Sequence, residues 1–215
     1  MRNVKVLEMI DTGRIEELKK LLQDEIYAES LKATPDTKKR YTAMKKYFTY
    51  VNQTRECLQK PCFVKFEDKQ YTSFTNSWSL ILTTENPGEI ELFNEDNGKY
   101  PEISRLVKFG GIKKKIDFNK VIAEAKSLGY RLTKSEVNHN FKYLMYYDET
   151  YYKIGLLDIT FSIINNGEAA MTHHPGGPRS PLTIENDIGI AIVMPVKFEN
   201  EPEDYIIIRV DWFAS

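Results

Sequence analysis

The first 51 residues of the chain carry apolar side chains at the three- and four-residue spacing of helices. In residues 1–34 this spacing predicts a helical arm, which is too short to be stable alone and must dock on other parts of the molecule. The segment Thr34-Pro35-Asp36 ends the arm, because a residue before proline disfavours helical geometry. A second helix is predicted from about Lys38 to Val51. The apolar stripe of this helix comprises Tyr41, Met44, Phe48 and Val51.

The next segment alternates apolar and polar residues, with the period of β-strands. Strands are predicted for CFVKFE at 62–67 and for WSLILT at 78–83, where Trp78, Leu80 and Leu82 would share one face. Asp68-Lys69 and Asn76-Ser77 supply turn-forming residues between them. Residues 90–93 are expected to add one more strand.

The order of helix followed by strands is repeated after a turn-rich junction at 94–111. A strand is predicted at 112–116 and a helix at 118–128, with Asp117 as its N-terminal cap and Gly129 at its C-terminal end. The repeated order predicts an α+β chain with two units, duplicated in architecture and not in residue identity. The other predicted strands are Phe141 to Tyr147, Tyr151 to Ile154, Pro181 to Glu185, Ile188 to Val196 and the YIIIRV run of the tail.

The segment from Leu156 to Ile164 fits two kinds of element. Its β-branched residues favour a strand, whereas the spacing of its apolar residues suits a helix just as well. The pattern leaves both alternatives open.

The closing segment, PLTIENDIGIAIVMPVKF at 181–198, resembles the end of the last domain of a bacterial DNA-polymerase sliding clamp. In that family a strand led by proline, an acidic turn and a final apolar strand ending in Met-Pro follow one another. Ile116-Asp117-Phe118 resembles the entry from strand to helix in clamps, and GKYPEI at 98–103 resembles the segment that links clamp domains. By the same resemblance, residues 152–164 correspond to a second, shorter helix.

The resemblance covers about residues 36–198 and implies a divergent, shortened member of the family. It implies clamp-like units at 35–111 and 112–198, preceded by the helical arm and followed by a tail strand at 199–215. Bacterial clamps have three domains, whereas this chain has room for two. Three copies would then be needed to close a six-domain ring through head-to-tail contacts.

The function that this resemblance implies is non-catalytic. The chain would bind the backbone of double-stranded DNA and serve replication, with a polymerase or other replication proteins as partners, in a phage or mobile element. Phosphate contacts of this kind do not read bases. The predicted DNA-binding residues are Lys38, Lys39, Lys45, Lys46, Arg105, Lys113, Lys114 and Lys115, with Lys108 beside them.

Two alternatives remain for these surfaces. A solvated charged face accounts for the same lysines, in which case the chain is a protein-interaction scaffold without DNA binding. By position, the groove that receives partner peptides in clamps would be lined here by Val193, Met194, Pro195 and Val196. Packing in the core or at a sheet edge accounts for the same four residues.

Only the stretch THHPGGPR at 172–179 resembles a catalytic segment. Adjacent histidines act as bases or metal ligands in some sites. Neighbours on a strand point to opposite faces, so His173 and His174 would reach one ion only from a loop, which the glycines and prolines favour. No motif of a metalloprotease, a serine hydrolase or a nucleotide-binding loop accompanies them. We therefore predict no catalytic residue, metal or cofactor, with a metal-dependent hydrolase centred on these histidines as the alternative.

Composition narrows these possibilities. The 215 residues have a formal net charge of −1, which argues against a surface that is basic overall and leaves room for a local basic face. The two cysteines, Cys57 and Cys62, are expected to be free thiols in a reducing compartment. No secretory signal and no run of about 18 apolar residues is present, so we expect a cytoplasmic protein without a membrane partner.

Overall fold

A computed structural model describes residues 10, 12–19, 35–50, 55–88, 90–93, 99–107, 109–174, 176, 180–199 and 202–211. They form a mixed α+β fold in which helices pack on a large antiparallel sheet. The helices are α1 (Pro35–Tyr50), α2 (Ile103–Leu106), α3 (Phe118–Ser127), α4 (Lys134–Val137) and α5 (Ile154–Ile164), with a 3-10 turn at Glu56–Leu58. Of the predicted arm at 1–34, residues 15–19 are helical, and most of the rest is outside the described residues. The strands are β1 (Cys62–Phe66), β2 (Lys69–Thr75), β3 (Ser79–Thr83), β4 (Ile112–Ile116), β5 (Tyr143–Tyr147), β6 (Thr150–Lys153), β7 (Ala170–His174), β8 (Leu182–Glu185), β9 (Gly189–Val193) and β10 (Ile206–Arg209).

Seven of these strands form one antiparallel sheet, in the order β1-β2-β3-β9-β8-β7-β4. A smaller sheet has the order β10-β5-β6, with β10 parallel to β5. The pairing of β3 with β9 joins strands from residues 35–111 and 112–198. The two predicted units therefore share one sheet, and their clamp-like character stays a prediction.

Local sequence accounts for the ends of α3. The side chain of Asp117 accepts hydrogen bonds from the backbone N–H groups of Asn119 and Lys120, two donors that the first turn of a helix leaves without partners. Gly129 follows the helix with φ +94°, a left-handed conformation that glycine adopts without a Cβ penalty. Both predicted caps are confirmed.

The ambiguous segment is a helix, α5. Ten of its eleven residues are buried, and only Ser162 is half-exposed. A helix that is apolar almost all round belongs in a core. It lies over β3 and β9, and α1 and α3 pack against it. The helical layer on this first face of the sheet holds most of the core.

The second face of the sheet has a smaller cover. Ile103 and Val107, at the two ends of α2, pack there on Tyr71, Leu80 and Ile192. Since β3 is covered on both faces, all five of its residues are buried. The predicted strand around Trp78 is thus confirmed from Ser79 onward, but Trp78 lies outside it and is 51% exposed.

Two further sequence predictions are wrong. Residues 69–75, predicted only as a link with turn residues, form strand β2, and the turn before it lies at Glu67-Asp68 instead of Asp68-Lys69. Residues 90–93 have no strand pairing and adopt an irregular conformation. Within the described part of the chain, no helix has the length and apolar character needed to span a bilayer.

Candidate functional site

A cleft opens in the helical layer where α1 faces α3 across α5. Its volume is about 650 Å³. Three lysines of α1 line one wall, and α5 supplies part of the floor. The residues that line it include Lys38, Lys39, Lys46, Asn119, Leu132, Ile159, Ser162 and Asn165. We refer to this surface as the basic cleft.

The lysines of α1 are exposed because the opposite side of the helix is its buried side. Ala43, Met44 and Tyr47 face the core, whereas Lys38, Lys39, Lys45 and Lys46 are all exposed. Lys39 forms an ion pair of 2.9 Å with Asp36, and the ammonium of Lys45 lies 4.4 Å from the centre of the Tyr41 ring. Among the described residues, no carboxylate lies within ion-pair distance of Lys38 or Lys46. These two lysines are thus available to an anion.

Buried polar contacts fix α1 at this wall. The Arg40 guanidinium binds the Glu85 carboxylate at 2.6 Å and donates to the carbonyl of Asn165 at 3.1 Å, which ties α1 to the chain after β3 and after α5. The hydroxyls of Tyr47 and Ser79 are hydrogen-bonded at 3.1 Å inside the core. Charged partners buried in this way hold geometry firmly, because loss of one leaves the other unpaired.

The pockets that adjoin the basic cleft carry two cations that were not among the predicted binding residues. Lys126 of α3 lies over a smaller pocket of about 190 Å³, which shares Asn119, Ser162 and Asn165 with the basic cleft. Arg131, just beyond α3, is exposed and lines an adjoining depression together with Lys126. Lys126 lies off the predicted core stripe of α3, so that pattern already placed it at the surface. Its position opposite α1 depends on the tertiary fold.

A carboxylate lines the smaller pocket together with Lys126. Asp158 of α5 is 8% exposed, and it accepts hydrogen bonds from the hydroxyls of Tyr130 at 3.0 Å and Ser162 at 3.3 Å. Burial raises the pKa of Asp158, while the bond from Tyr130 and the charges of Lys126 and Lys46 oppose that rise. In the described part of the chain it has no ion-pair partner. Asp158 is therefore a buried hydrogen-bond acceptor that lies in the electrostatic field of Lys126 and Lys46.

The other predicted cations lie elsewhere. Lys113 and Lys115 are exposed on β4 and point away from the helices, since Ile116 faces the core and neighbours on a strand alternate. Lys114 points toward the helical side and is half-buried. Arg105 lies on α2, over the second face, where it pairs with Glu102 at 2.7 Å. The eight predicted cations are thus divided between the two sides of the sheet, and Lys108 is outside the described residues.

The two adjacent histidines are not in a loop, so that prediction is wrong. Both belong to β7, because its pairing with β4 extends to His174. They point to opposite faces and are buried. His173 Nε2 lies 3.0 Å from a carboxylate oxygen of Glu185, and His174 Nδ1 lies 2.8 Å from one of Asp148. No group of three or more metal-ligating side chains occurs among the residues that the structure describes.

The predicted peptide groove is only partly at the surface. Val193 ends β9 with its side chain fully buried, so it contributes to the core. Met194 is 37% exposed, and Pro195 and Val196 are half-buried. The backbone N–H of Val196 donates to the carbonyl of Tyr151 at 2.8 Å, which attaches this segment to the smaller sheet. Only the last three of these residues reach the surface.

Comparison of the chain with protein-family models, with curated proteins and with solved structures finds no match. The resemblance to sliding clamps therefore gains no support from them and stays a prediction.

Proposed function

We propose that this chain binds the phosphate backbone of double-stranded DNA through the basic cleft, without catalysis and without reading bases. One observation carries the proposal: exposed lysines line the α1 wall of the basic cleft, and Lys126 and Arg131 line the pockets that adjoin it, in a protein whose net charge is −1. A concentration of cations on one side of a near-neutral protein is the pattern expected of a local polyanion site.

The charges near the cleft favour an anion on balance. Helices α1 and α3, counted with Asp117 at the N-terminal cap of α3, carry six lysines and one arginine against three carboxylates. Arg40 is neutralised by Glu85, and Lys39 by Asp36. Lysines that contact phosphates release the counterions of DNA, which makes such binding favourable at low salt and independent of sequence.

The sheet also supports the proposed assembly of several copies. Within the described residues, β1 and β4 are the two edges of the seven-stranded sheet, and each has one neighbour. An edge strand offers unpaired backbone groups to another chain. Pairing of β1 of one copy with β4 of the next would be a head-to-tail contact, which closes a ring when its rotation allows. A replication protein is the partner class that such a ring would serve.

Charge reversal on the two sides of the sheet tests the DNA site. We expect a fluorescently labelled duplex of about 30 base pairs to bind the unmodified protein at about 50 mM salt and to dissociate as salt rises to about 200 mM. The triple variant Lys38→Glu, Lys46→Glu, Lys126→Glu should weaken binding at least tenfold in fluorescence anisotropy, with no change for duplexes of different sequence.

The matched control is Lys113→Glu with Lys115→Glu, which changes exposed lysines on the opposite face. We expect it to keep the affinity within about threefold, since charges beyond about 10 Å are screened at 0.1 M salt. Equal losses in both variants would contradict the cleft as the site. A lack of binding by the unmodified protein at about 50 mM salt would remove DNA from the function and favour the protein-interaction scaffold.

A further inference from the structure

We propose that the basic cleft and the adjoining pocket of about 190 Å³ together form a binding site for one nucleotide unit, with its phosphate between Lys46 and Lys126 and a donor group of the ligand hydrogen-bonded to Asp158. This proposal rests on the proposed function, because the same lysines would bind phosphate in both. It adds the chemical class of the ligand that the site recognises. The observations are the size of the cleft, the lysines of α1 that line it, and the adjoining pocket in which Lys126 lies near the buried acceptor Asp158.

Asp158 indicates that the ligand carries a hydrogen-bond donor. It is the charged residue of a helix that is otherwise apolar apart from two hydroxyl residues. Each of its oxygens accepts one bond, from Tyr130 or from Ser162, whereas an ionised carboxylate can accept about four. A buried carboxylate without a cation is costly unless further donors satisfy it. A hydroxyl or amino group of a ligand would supply one.

The walls indicate that the same ligand carries negative charge. Lys46 approaches from α1 and Lys126 from α3, and both are close enough to act electrostatically on Asp158. An anion between the two ammonium groups would be attracted from both sides. A molecule with a phosphate at one end and hydroxyl or amino donors nearby meets both requirements, and nucleotides have this arrangement.

The dimensions favour a single unit over a duplex. The cleft volume of about 650 Å³ is within the range of about 300–1,000 Å³ typical of small-molecule sites. Leu132, which is half-buried, supplies an apolar surface for a base, and the Asn119–Asn165 amide pair, bonded at 2.7 Å, supplies polar groups beside it. A cavity of this volume holds one such unit and cannot enclose a length of duplex. The unit would come from a free nucleotide or from a strand end.

Calorimetric titration of the unmodified protein tests the ligand class. The probes are deoxyadenosine monophosphate, deoxyadenosine and inorganic phosphate, each at about 50 mM salt. We expect the monophosphate to bind at least tenfold more tightly than either of the others, because only it offers both groups. Equal affinity for monophosphate and phosphate would overturn the role of Asp158, and no binding of the monophosphate would overturn the site.

Asp158→Asn gives a prediction with a definite sign. It keeps the size of the side chain and removes the charged acceptor, so we expect the monophosphate to bind about tenfold more weakly. If Asp158 merely repels phosphate, the variant must bind more tightly, which would overturn the proposal. Thermal unfolding checks that the variant is folded. Lys126→Gln, at an exposed position, gives a second variant expected to weaken binding, with Lys113→Gln as its control.

Two more duplex measurements separate this site from the proposed function and identify the source of the nucleotide. A duplex that binds while the monophosphate does not would leave the DNA proposal standing and remove the nucleotide site. A duplex with 5′-phosphates that competes with the monophosphate, when the unphosphorylated duplex does not, would identify strand ends as the source. Equal competition by both duplexes would show that DNA competes through its backbone phosphates at the mouth of the cleft and not through a strand end. That result would overturn a strand-end source in favour of the free nucleotide.

Discussion

At the scale of single residues, the charged groups of this protein differ in what surrounds them. The Arg40–Glu85 pair is buried and has complementary partners, so it serves the position of α1. Lys38 and Lys46 extend into solvent from the same helix. Asp158 is buried like Arg40 but has hydroxyl partners instead of a cation. Perturbed, incompletely paired groups in a cleft are frequent at functional sites.

The environment of Asp158 predicts a pH dependence of stability. Because burial raises its pKa, the folded state binds a proton more firmly than the unfolded chain does. The free energy of unfolding should therefore fall as pH rises from the unfolded pKa, about 3.9, through the folded pKa, and then remain lower. The Asp158→Asn variant has no carboxyl group here, so its free energy of unfolding does not fall in this way as pH rises. We expect the variant to be more stable than the unmodified protein at pH 7, with a difference that shrinks toward pH 3.5.

Urea unfolding at several pH values measures this difference. The control is Glu124→Gln, the same change from carboxylate to amide at an exposed position of α3. A stability difference that grows toward acid would mean that the fold favours the ionised carboxylate of Asp158.

At the scale of elements, two hairpins share an unusual turn. The pairings Phe66↔Lys69 and Tyr147↔Thr150 leave two-residue loops, Glu67-Asp68 and Asp148-Glu149. All four loop residues have positive φ, between 46° and 63°, as type I′ turns require. Such turns match the twist of the flanking strands but favour glycine or asparagine. The four side chains in these turns are therefore in a strained backbone conformation, which the tight connection of the strands requires.

Introducing a glycine into one of these turns should stabilise the protein. Glu149 is exposed with φ +58°, where a side chain is disfavoured. We expect Glu149→Gly to raise the free energy of unfolding by about 1 kcal/mol, because relief of the left-handed strain of ~1–2 kcal/mol exceeds the entropic cost of glycine. Chemical denaturation measures the change.

The same substitution in a helix is the control. Glu124→Gly, at an exposed position inside α3, should lower the free energy of unfolding by about 1 kcal/mol. If both glycine variants are destabilised equally, the turn at Asp148-Glu149 does not have the strained geometry that its φ values indicate.

At the scale of the whole molecule, the seven-stranded sheet separates two different surfaces. Its first face carries α5, α1 and α3, and so the basic cleft. Its second face carries α2 over β3 and β9, and beyond it Met171 and Phe109 are exposed to 41% and 38%. The edges β1 and β4 lie at opposite ends of the sheet. A molecule of this form has the basic cleft on one face of the sheet and two sheet edges through which copies could join.

Head-to-tail joining of these edges predicts a definite mass. We expect sedimentation equilibrium to show a species of about three times the mass of one chain, in balance with the monomer as concentration rises, since three two-unit copies close the proposed ring. Duplex DNA should shift the balance toward the trimer if it binds the assembled form more tightly.

A protein that stays monomeric at high micromolar concentration, with and without DNA, would contradict the ring. Dimers that do not grow further would instead indicate a contact of two identical surfaces, which β1-to-β4 pairing cannot produce. In either case the basic cleft would remain within a single chain.

Local sequence determined the elements whose signals are complete within a few residues. The cap at Asp117 and the glycine at 129 depend on neighbours one or two turns away. The predicted stripe of α1 is only partly right: Ala43 and Tyr47 are buried beside Met44, whereas Tyr41 and Phe48 are half-buried and Val51 is outside the described residues. The strands at 62–66 and 182–185 follow from alternation in the same way. The lysines of α1 lie off the predicted stripe and are exposed, but Arg40, which is also off that stripe, is buried against Glu85.

Only the tertiary structure decided what lies beside what. The segment at 156–164 fitted a strand and a helix equally until burial on nearly all sides selected α5. His173 and His174 lie within a strand because β4 and β8 pair with it, and Lys126 lies opposite α1 because both helices pack on α5. Thr83 and Gly189, which are paired, are over 100 residues apart in the chain. Periodicity records which side of an element is buried, but it does not record the partner that buries it.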